Sequence, residues 1–243
     1  MSTVENILAS EQRRKNETSR AQKAREQIEA RIHRDAVGGP PDSKWRSLLL
    51  MLTERGFATR VIRKRLGLPT PLNTTDRAVL EQKIFPHYLK DPAIRNVLFV
   101  GCGTYTAHYE RVYFSRVQYA TIEPNPTQAR FGAKRHVVAP LEELAQHFAP
   151  GSFDLIICNG VYGWGLDLLQ QLEAAFAQCY DCLTDGGHLV FGWDDLPQRT
   201  PTPLEQVSSL ERFERYTLTE LGTWRYLTAT PFRHTYDFYR KGA

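Results

Sequence analysis

The sequence predicts an α/β fold: a mostly parallel sheet covered by helices on both faces, preceded by a helical N-terminal extension. Three observations predict it. Short apolar runs recur after Asp91-Pro92, at Asn96–Val100, Val117–Ile122, Arg135–Val138, Phe153–Cys158 and His188–Gly192. Helix-like stretches separate most of them, at Thr106–Phe114, Thr127–Lys134, Leu141–Phe148 and Leu168–Leu183. The strongest runs contain unbroken apolar stretches, Val97–Val100 and Leu155–Cys158, which suits strands buried on both faces rather than on one.

The elements follow in order. Ser2-Thr3-Val4-Glu5 has the spacing of a capping box and can open a helix. Glu11 to Arg34 is rich in Glu, Gln, Lys, Arg and Ala, which are good helix formers. Its apolar residues are sparse, so it reads as an exposed arm that buries little. Gly38-Gly39-Pro40-Pro41 breaks it. Trp45 to Leu66 is a second helical stretch divided at Gly56 and closed by Pro69 and Pro71. Asn73-Thr74-Thr75-Asp76 supplies N-cap chemistry for a third helix reaching about Leu89. Asp185-Gly186-Gly187 is a turn signal ahead of the fifth strand. Tyr216-Thr217-Leu218 and His234–Tyr239 read as two strands with no helix between them, a terminal hairpin on the sheet edge. The expected division is a helical arm over residues 1–73 and a sheet domain over 74–243.

Composition narrows the function classes. The chain has 243 residues, 42% hydrophobic and 24% charged, which suits one globular domain with an appended arm. No apolar run approaches the ~20 residues of a membrane helix. The N-terminus lacks a signal-peptide pattern, so the expected location is the cytoplasm. Cys102, Cys158, Cys179 and Cys182 are too few for a disulfide scaffold. Cys179-Tyr-Asp-Cys182 lacks a second pair to complete a zinc site, so its thiols read as packing residues and no metal is expected. Charge is uneven: residues 1–65 carry 15 basic and 8 acidic side chains, residues 66–243 carry 16 and 19. The pI near 8.9 therefore belongs to the first quarter. A solvated helix surface explains that balance better than an acidic partner does.

Open parallel sheets bind ligands at the carboxyl ends of their strands. The first loop there is Gly101-Cys102-Gly103-Thr104-Tyr105, where Gly101 permits a sharp turn and Gly103 lets a ligand approach the backbone. Glu123 stands about 20 residues on, at the end of the second strand, where a carboxylate can accept both hydroxyls of a ribose. A nicotinamide-binding fingerprint would need a glycine where the chain has Thr106.

In Val97–Gly103 (VLFVGCG), Tyr119–Asn125 (YATIEPN), Ser152–Asn159 (SFDLIICN) and Leu183–Phe191 (LTDGGHLVF), the chain resembles the class I S-adenosylmethionine-dependent methyltransferases. The resemblance covers roughly residues 74–243. It implies a doubly wound, seven-stranded sheet with an antiparallel C-terminal strand. S-adenosylmethionine is the implied cofactor and S-adenosylhomocysteine the product, without a metal. By position, Gly101, Cys102, Gly103 and Tyr105 would face the methionine part, and Glu123 and Pro124 the ribose. Leu141 would border the adenine, and Asn159 and Gly160 the reactive methyl. Two departures stand out: Tyr105 occupies the place of a common third glycine, and for the adenine amine, often bound by an acid near Pro140-Leu141, backbone groups or Glu142 would have to serve.

The expected reaction is methyl transfer to a small molecule, most naturally at an oxygen, with orientation as the main contribution of the protein. An amine acceptor is the alternative. Candidate acceptor residues are Tyr162 and Trp164 in a glycine-rich loop expected to form a mobile aromatic wall, and Trp193, Asp194 and Asp195 after the fifth strand. His234 is the candidate base, and Arg233 the candidate holder of an acidic acceptor. The arm is an expected dimer contact or cover for the pocket. A non-catalytic module docking nucleic acid through Lys44–Arg65, a +6 segment, is the competing reading. No aromatic stacking motif interleaves those charges, which single-strand recognition would favour.

Overall fold

The computed structural model describes residues 74–242, together with Leu72. The expected arm, its dimer contact and its basic stretch lie, Leu72 apart, outside the described residues.

Helix α1 (Thr75–Val79) passes through a π turn (Leu80–Ile84) into α2 (Phe85–Leu89). Thr74 is the N-cap in extended backbone, with Asp76 in the first turn, as the sequence predicts, although the cap side chain makes no bond. Leu80, Ile84, Phe85 and Tyr88 form the buried side of this run. The sheet strands are β1 (Asn96–Val100), β2 (Gln118–Ile122), β3 (Arg135–Val137), β4 (Phe153–Asn159), β5 (Leu183–Asp194), β6 (Glu214–Arg215), β7 (Arg225–Leu227) and β8 (His234–Arg240). Their order is β3-β2-β1-β4-β5-β8, with β6 and β7 both paired to the outer edge of β8. Strands β1 to β5 are parallel, and β8 runs antiparallel to β5.

Strand periodicity sends alternate side chains to opposite faces, and each face has its own core. Val97, Phe99, Leu155, Ile157, Val190, Tyr236 and Phe238 pack against α1, α2 and Tyr109. Leu98, Val100, Ile156, Cys158, Leu189, Phe191 and Tyr239 pack against Leu144, Phe148 and the long helix α5 (Leu169–Cys182). That two-sided burial is why the middles of β1 and β4 are continuously apolar. Burying one such Leu, Ile or Phe contributes about 1.5–3 kcal/mol. Cys179 and Cys182 are buried, free thiols on α5, in the packing role predicted for them.

Four elements depart from the sequence reading. The helix expected over Thr106–Phe114 is helical only at Tyr109–Val112 (α3). Thr106 Oγ1 accepts from the Gly103 N–H at 3.0 Å and donates to its carbonyl at 3.1 Å, holding a turn in place of a helical start. The Thr127–Lys134 stretch is a 3-10 helix, Pro126–Phe131, capped by the Asn125 side chain on the Thr127 N–H. Leu141–Phe148 divides into a 3-10 turn (Leu141–Glu143) and α4 (Leu144–His147). Asp185-Gly186-Gly187 does not precede β5 but lies inside it, where the β4 register shifts between Phe153 and Leu155.

The tail also differs. Tyr216-Thr217-Leu218 is not a strand; Leu218 makes only a bridge to Thr223. The outer edge of β8 is completed instead by two short segments laid along it, β7 against Asp237, Tyr236 and Thr235 and β6 against Arg240 and Tyr239. The sheet thus has seven positions, with the outermost shared.

Candidate active site

From β1 the chain moves outward through β2 and β3, then returns to the other side of β1 as β4. The strand order reverses there, so a crevice lies beyond the carboxyl ends of β1 and β4. Gly101 leaves β1 at φ +80°, a left-handed conformation that favours glycine. The chain then passes Cys102 and Gly103, both buried. Glu123, at the tip of β2, turns back toward this loop. Its Oε2 accepts the Cys102 N–H at 3.4 Å and its Oε1 accepts the Asn125 N–H at 2.9 Å. A carboxylate has about four acceptor positions, so capacity remains for further donors. Burial, aided by Glu123, pushes the Cys102 thiol up to about 12, so it stays protonated and donates to the Gln128 carbonyl.

Tyr105 resolves the first departure from the family pattern. Its ring folds back over Gly103, where a Cβ would lie only 2.9 Å from its Cε1. On the ring rests the guanidinium of Arg77, 4.7 Å from the centroid. Arg77, 7% exposed, donates to the Tyr109 hydroxyl at 3.1 Å, and that hydroxyl donates to Glu81 at 2.7 Å. Sequence reading missed Arg77. Its one signal was a position in the first turn of a helix that covers the crevice side of the sheet.

Pro124 is exposed just beyond Glu123, and Leu141 is buried after β3 beside Ala139 and Pro140. Asn159 ends β4, and Gly160 follows at φ +72°, where a Cβ would meet no atom within 4 Å. Val161 closes over Gly101, its Cγ1 3.2 Å from the Cβ position there. The structure therefore brings Gly101, Cys102, Gly103, Tyr105, Glu123, Pro124, Leu141, Asn159 and Gly160 to the carboxyl ends of β1–β4.

The acceptor candidates divide. His234 begins β8 beside the ends of β4 and β5; its Nδ1 lies 2.7 Å from Asp194 Oδ1 and its Nε2 3.0 Å from Asn159 Oδ1. Arg233 is exposed, at φ +50°, and its guanidinium is paired with Asp195 at 2.7 Å. Asp195 thus matches a charge that the sequence reading left for an acidic acceptor.

Tyr162, expected in the aromatic wall, and Trp193, expected beside the acceptor, are both buried. Tyr162 is 1% exposed, its hydroxyl donates to the Thr202 carbonyl, and burial pushes its pKa up to about 12. Trp193 is 6% exposed and donates from Nε1 to Asp237 at 3.1 Å. Asp237, fully buried, also accepts from Arg225 at 2.6 and 2.7 Å. Both rings pack under the loops instead of lining an opening. Trp164 is the exposed aromatic, at 52%, and the Arg199 guanidinium lies 3.7 Å above its ring.

The loops carrying these rings are joined. Thr202 donates to the Asp167 carbonyl at 2.8 Å, and Gly163 approaches the Arg199 carbonyl so closely that a side chain there would overlap it. Among the described residues, no group of His, Cys, Asp and Glu is arranged to hold a metal ion, and no helix is long and apolar enough to cross a membrane.

The mostly parallel sheet, its reversal of strand order between β1 and β4 and its antiparallel last strand are the features that the comparisons with known proteins bear on. Residues 98–191 match the family described as "Methyltransferase domain". No curated protein matches the chain. Among solved structures, the chain is similar to the N-methyltransferase NodS from Bradyrhizobium japonicum WM9. The identity is 17%, the TM-score 0.55, and the similarity covers 70% of this chain and 98% of that one. NodS in complex with S-adenosylhomocysteine gives 18% identity and a TM-score of 0.50, over 70% of this chain and 94% of that one. The PH0226 protein from Pyrococcus horikoshii OT3 gives 11% and 0.52, over 70% and 92%. At these identities the likeness is one of fold.

Proposed function

We propose that this chain transfers the methyl group of S-adenosylmethionine to an oxygen of a small-molecule acceptor. One observation carries the cofactor part of the reading: the Glu123 carboxylate, at the tip of β2, faces the loop that leaves β1 through left-handed Gly101, beside the point where the strand order reverses. The residues present fit the cofactor. Glu123 has acceptor capacity for two ribose hydroxyls, and the half-buried Gly101 offers its backbone to an amino-acid tail. Arg77, held on Tyr105 beside that loop, is the cation for the carboxylate of that tail. Pro124 and Leu141 flank the base, and the open space at Gly160 lies where the methyl would point.

When bound, S-adenosylmethionine supplies a methyl group on a positively charged sulfur. The protein contributes orientation, since a fixed near-attack geometry can supply several kcal/mol of the barrier. Asn159 stands between the methyl position and His234, so the ring acts on the acceptor through the amide rather than by direct contact. Trp164, 52% exposed with Arg199 stacked on its ring, offers a flat rim suited to an aromatic acceptor.

Calorimetry of the full chain with S-adenosylmethionine and S-adenosylhomocysteine tests the cofactor part; absence of binding heat for both sinks it. Isotope-labelled methyl transfer to paired hydroxyl, carboxylate and amine compounds tests the acceptor, and label confined to nitrogen would replace oxygen by the alternative.

A further inference from the structure

Three polar side chains meet on one face of the sheet where β4, β5 and the start of β8 lie side by side. The register brings them together: Asp194 lies opposite His234, and Asn159 lies opposite Gly192. Asn159 and His234 are 4% and 6% exposed, so their polar atoms depend on one another. Gly192 makes the meeting possible. A side chain there would overlap Asn159 Oδ1 and stand 3.0 Å from His234 Nε2, so only a bare backbone lets the amide reach across β5 to the ring.

His234 Nδ1 faces a carboxylate oxygen at 2.7 Å and its Nε2 faces the amide oxygen at 3.0 Å. Both neighbours are acceptors, and an imidazole serves two acceptors only with a proton on each nitrogen. Asp194 matches the resulting charge. The adjacent cation, Arg233, is turned onto Asp195, and Tyr236 meets the ring edge-on at 4.8 Å. With its oxygen committed to His234, Asn159 makes no other side-chain hydrogen bond among the described residues. Its Nδ2 keeps two hydrogens for a ligand, beside the open space at Gly160.

We propose that Asp194 and His234 are positioning residues that lock the Asn159 amide with its NH2 group toward the acceptor. The site thereby selects an oxygen that offers a lone pair, a carboxylate or deprotonated hydroxyl. The inference rests on the methyl-transfer reading above. Such an oxygen attacks with its own electron pair; the new oxygen–carbon bond replaces the carbon–sulfur bond, sulfur keeps that bond's electrons, and no proton has to be removed. A reversed amide would present Oδ1, donate from Nδ2 to a neutral ring, and suit an N–H nucleophile.

The test is nitrogen NMR of the histidine side chains in the full chain with S-adenosylhomocysteine added, and calorimetry on the same sample. The expected result is two near-equivalent, protonated ring nitrogens for His234, and loss of that signature in Asp194→Asn. A neutral ring in unaltered protein that binds S-adenosylhomocysteine overturns the lock while leaving the cofactor reading intact; absent binding heat overturns the cofactor reading instead. Labelled methyl transfer is then measured with pooled benzoate, salicylate and catechol against pooled benzylamine and histamine. Transfer to the amines alone overturns the proposal. With the oxygen acceptors, His234→Gln, which keeps an N–H for Asn159, should stay within about tenfold of the parent kcat, and His234→Phe should lose about 100-fold with little change in KM. Equal losses in the two variants contradict a positioning role.

Discussion

Replacing Glu123 by Ala removes the carboxylate proposed to hold the ribose while leaving β2 in register. In the structure one oxygen already accepts the Asn125 N–H at 2.9 Å, and the other makes only a long, 3.4 Å contact with the Cys102 N–H. The second oxygen therefore has the larger unused capacity. Hydrogen bonds to a charged group are worth about 1.5–3 kcal/mol each, and water re-entering a partly exposed site recovers part of that. The expected cost in cofactor affinity is about 2–3 kcal/mol, or roughly 30- to 150-fold in Kd. Glu123→Gln, which keeps one acceptor oxygen, should fall between the parent and the alanine variant. Titration calorimetry with S-adenosylhomocysteine reads the loss, and a thermal melt of each variant checks that the loop has not simply unfolded. A folded Glu123→Ala variant with unchanged Kd would refute the ribose role and with it the geometry on which the cofactor reading stands.

Three further outcomes are expected. Gly192→Ala should displace Asn159 from His234, costing about 1–3 kcal/mol of stability by overpacking and lowering methyl transfer more than cofactor binding; denaturant melts and kinetics separate the two. Asp237→Ala leaves Arg225 and the Trp193 N–H without their buried acceptor, and since Arg225 is part-exposed the expected loss is about 3 kcal/mol, read as a lower midpoint in urea. Burial, with Arg240 and His87 nearby, pushes the His188 imidazole down to about 4 from a reference of 6.5. Between those values the unfolded chain binds more protons than the folded one, so stability present above pH 6.5 is lost as pH falls toward 4. The contribution is on the order of 2–3 kcal/mol, and a stability–pH profile of His188→Gln should lack that slope.

Much of the fold was legible because burial on two faces writes the middle of a strand as a continuous apolar run, as in Leu155–Cys158. The tail was harder. Tyr216-Thr217-Leu218 has strand propensity, yet polar Glu214 and Arg215 do the pairing, because the edge of β8 and not local preference selects its partner. Gly186 and Gly187 read as a turn but mark a register shift within a continuous strand. In the site, Gly101 and Glu123 were legible because the backbone itself positions them at strand tips. His234 was singled out but not its mode of action, since Asp194 and Asn159 reach it only through pairing across three strands. Arg77 could not be told from a solvated helix arginine until the Tyr105 ring was seen beneath it.

The coupling of the segments after β4 and β5 limits how the proposed acceptor site could be retargeted. Because Tyr162 and Asp167 are tied to Thr202, and Gly163 is seated on the Arg199 backbone, the two segments share one shape. Altering either alone would leave broken bonds in the other, so a change of acceptor preference by drift or by engineering has to rewrite both stretches together.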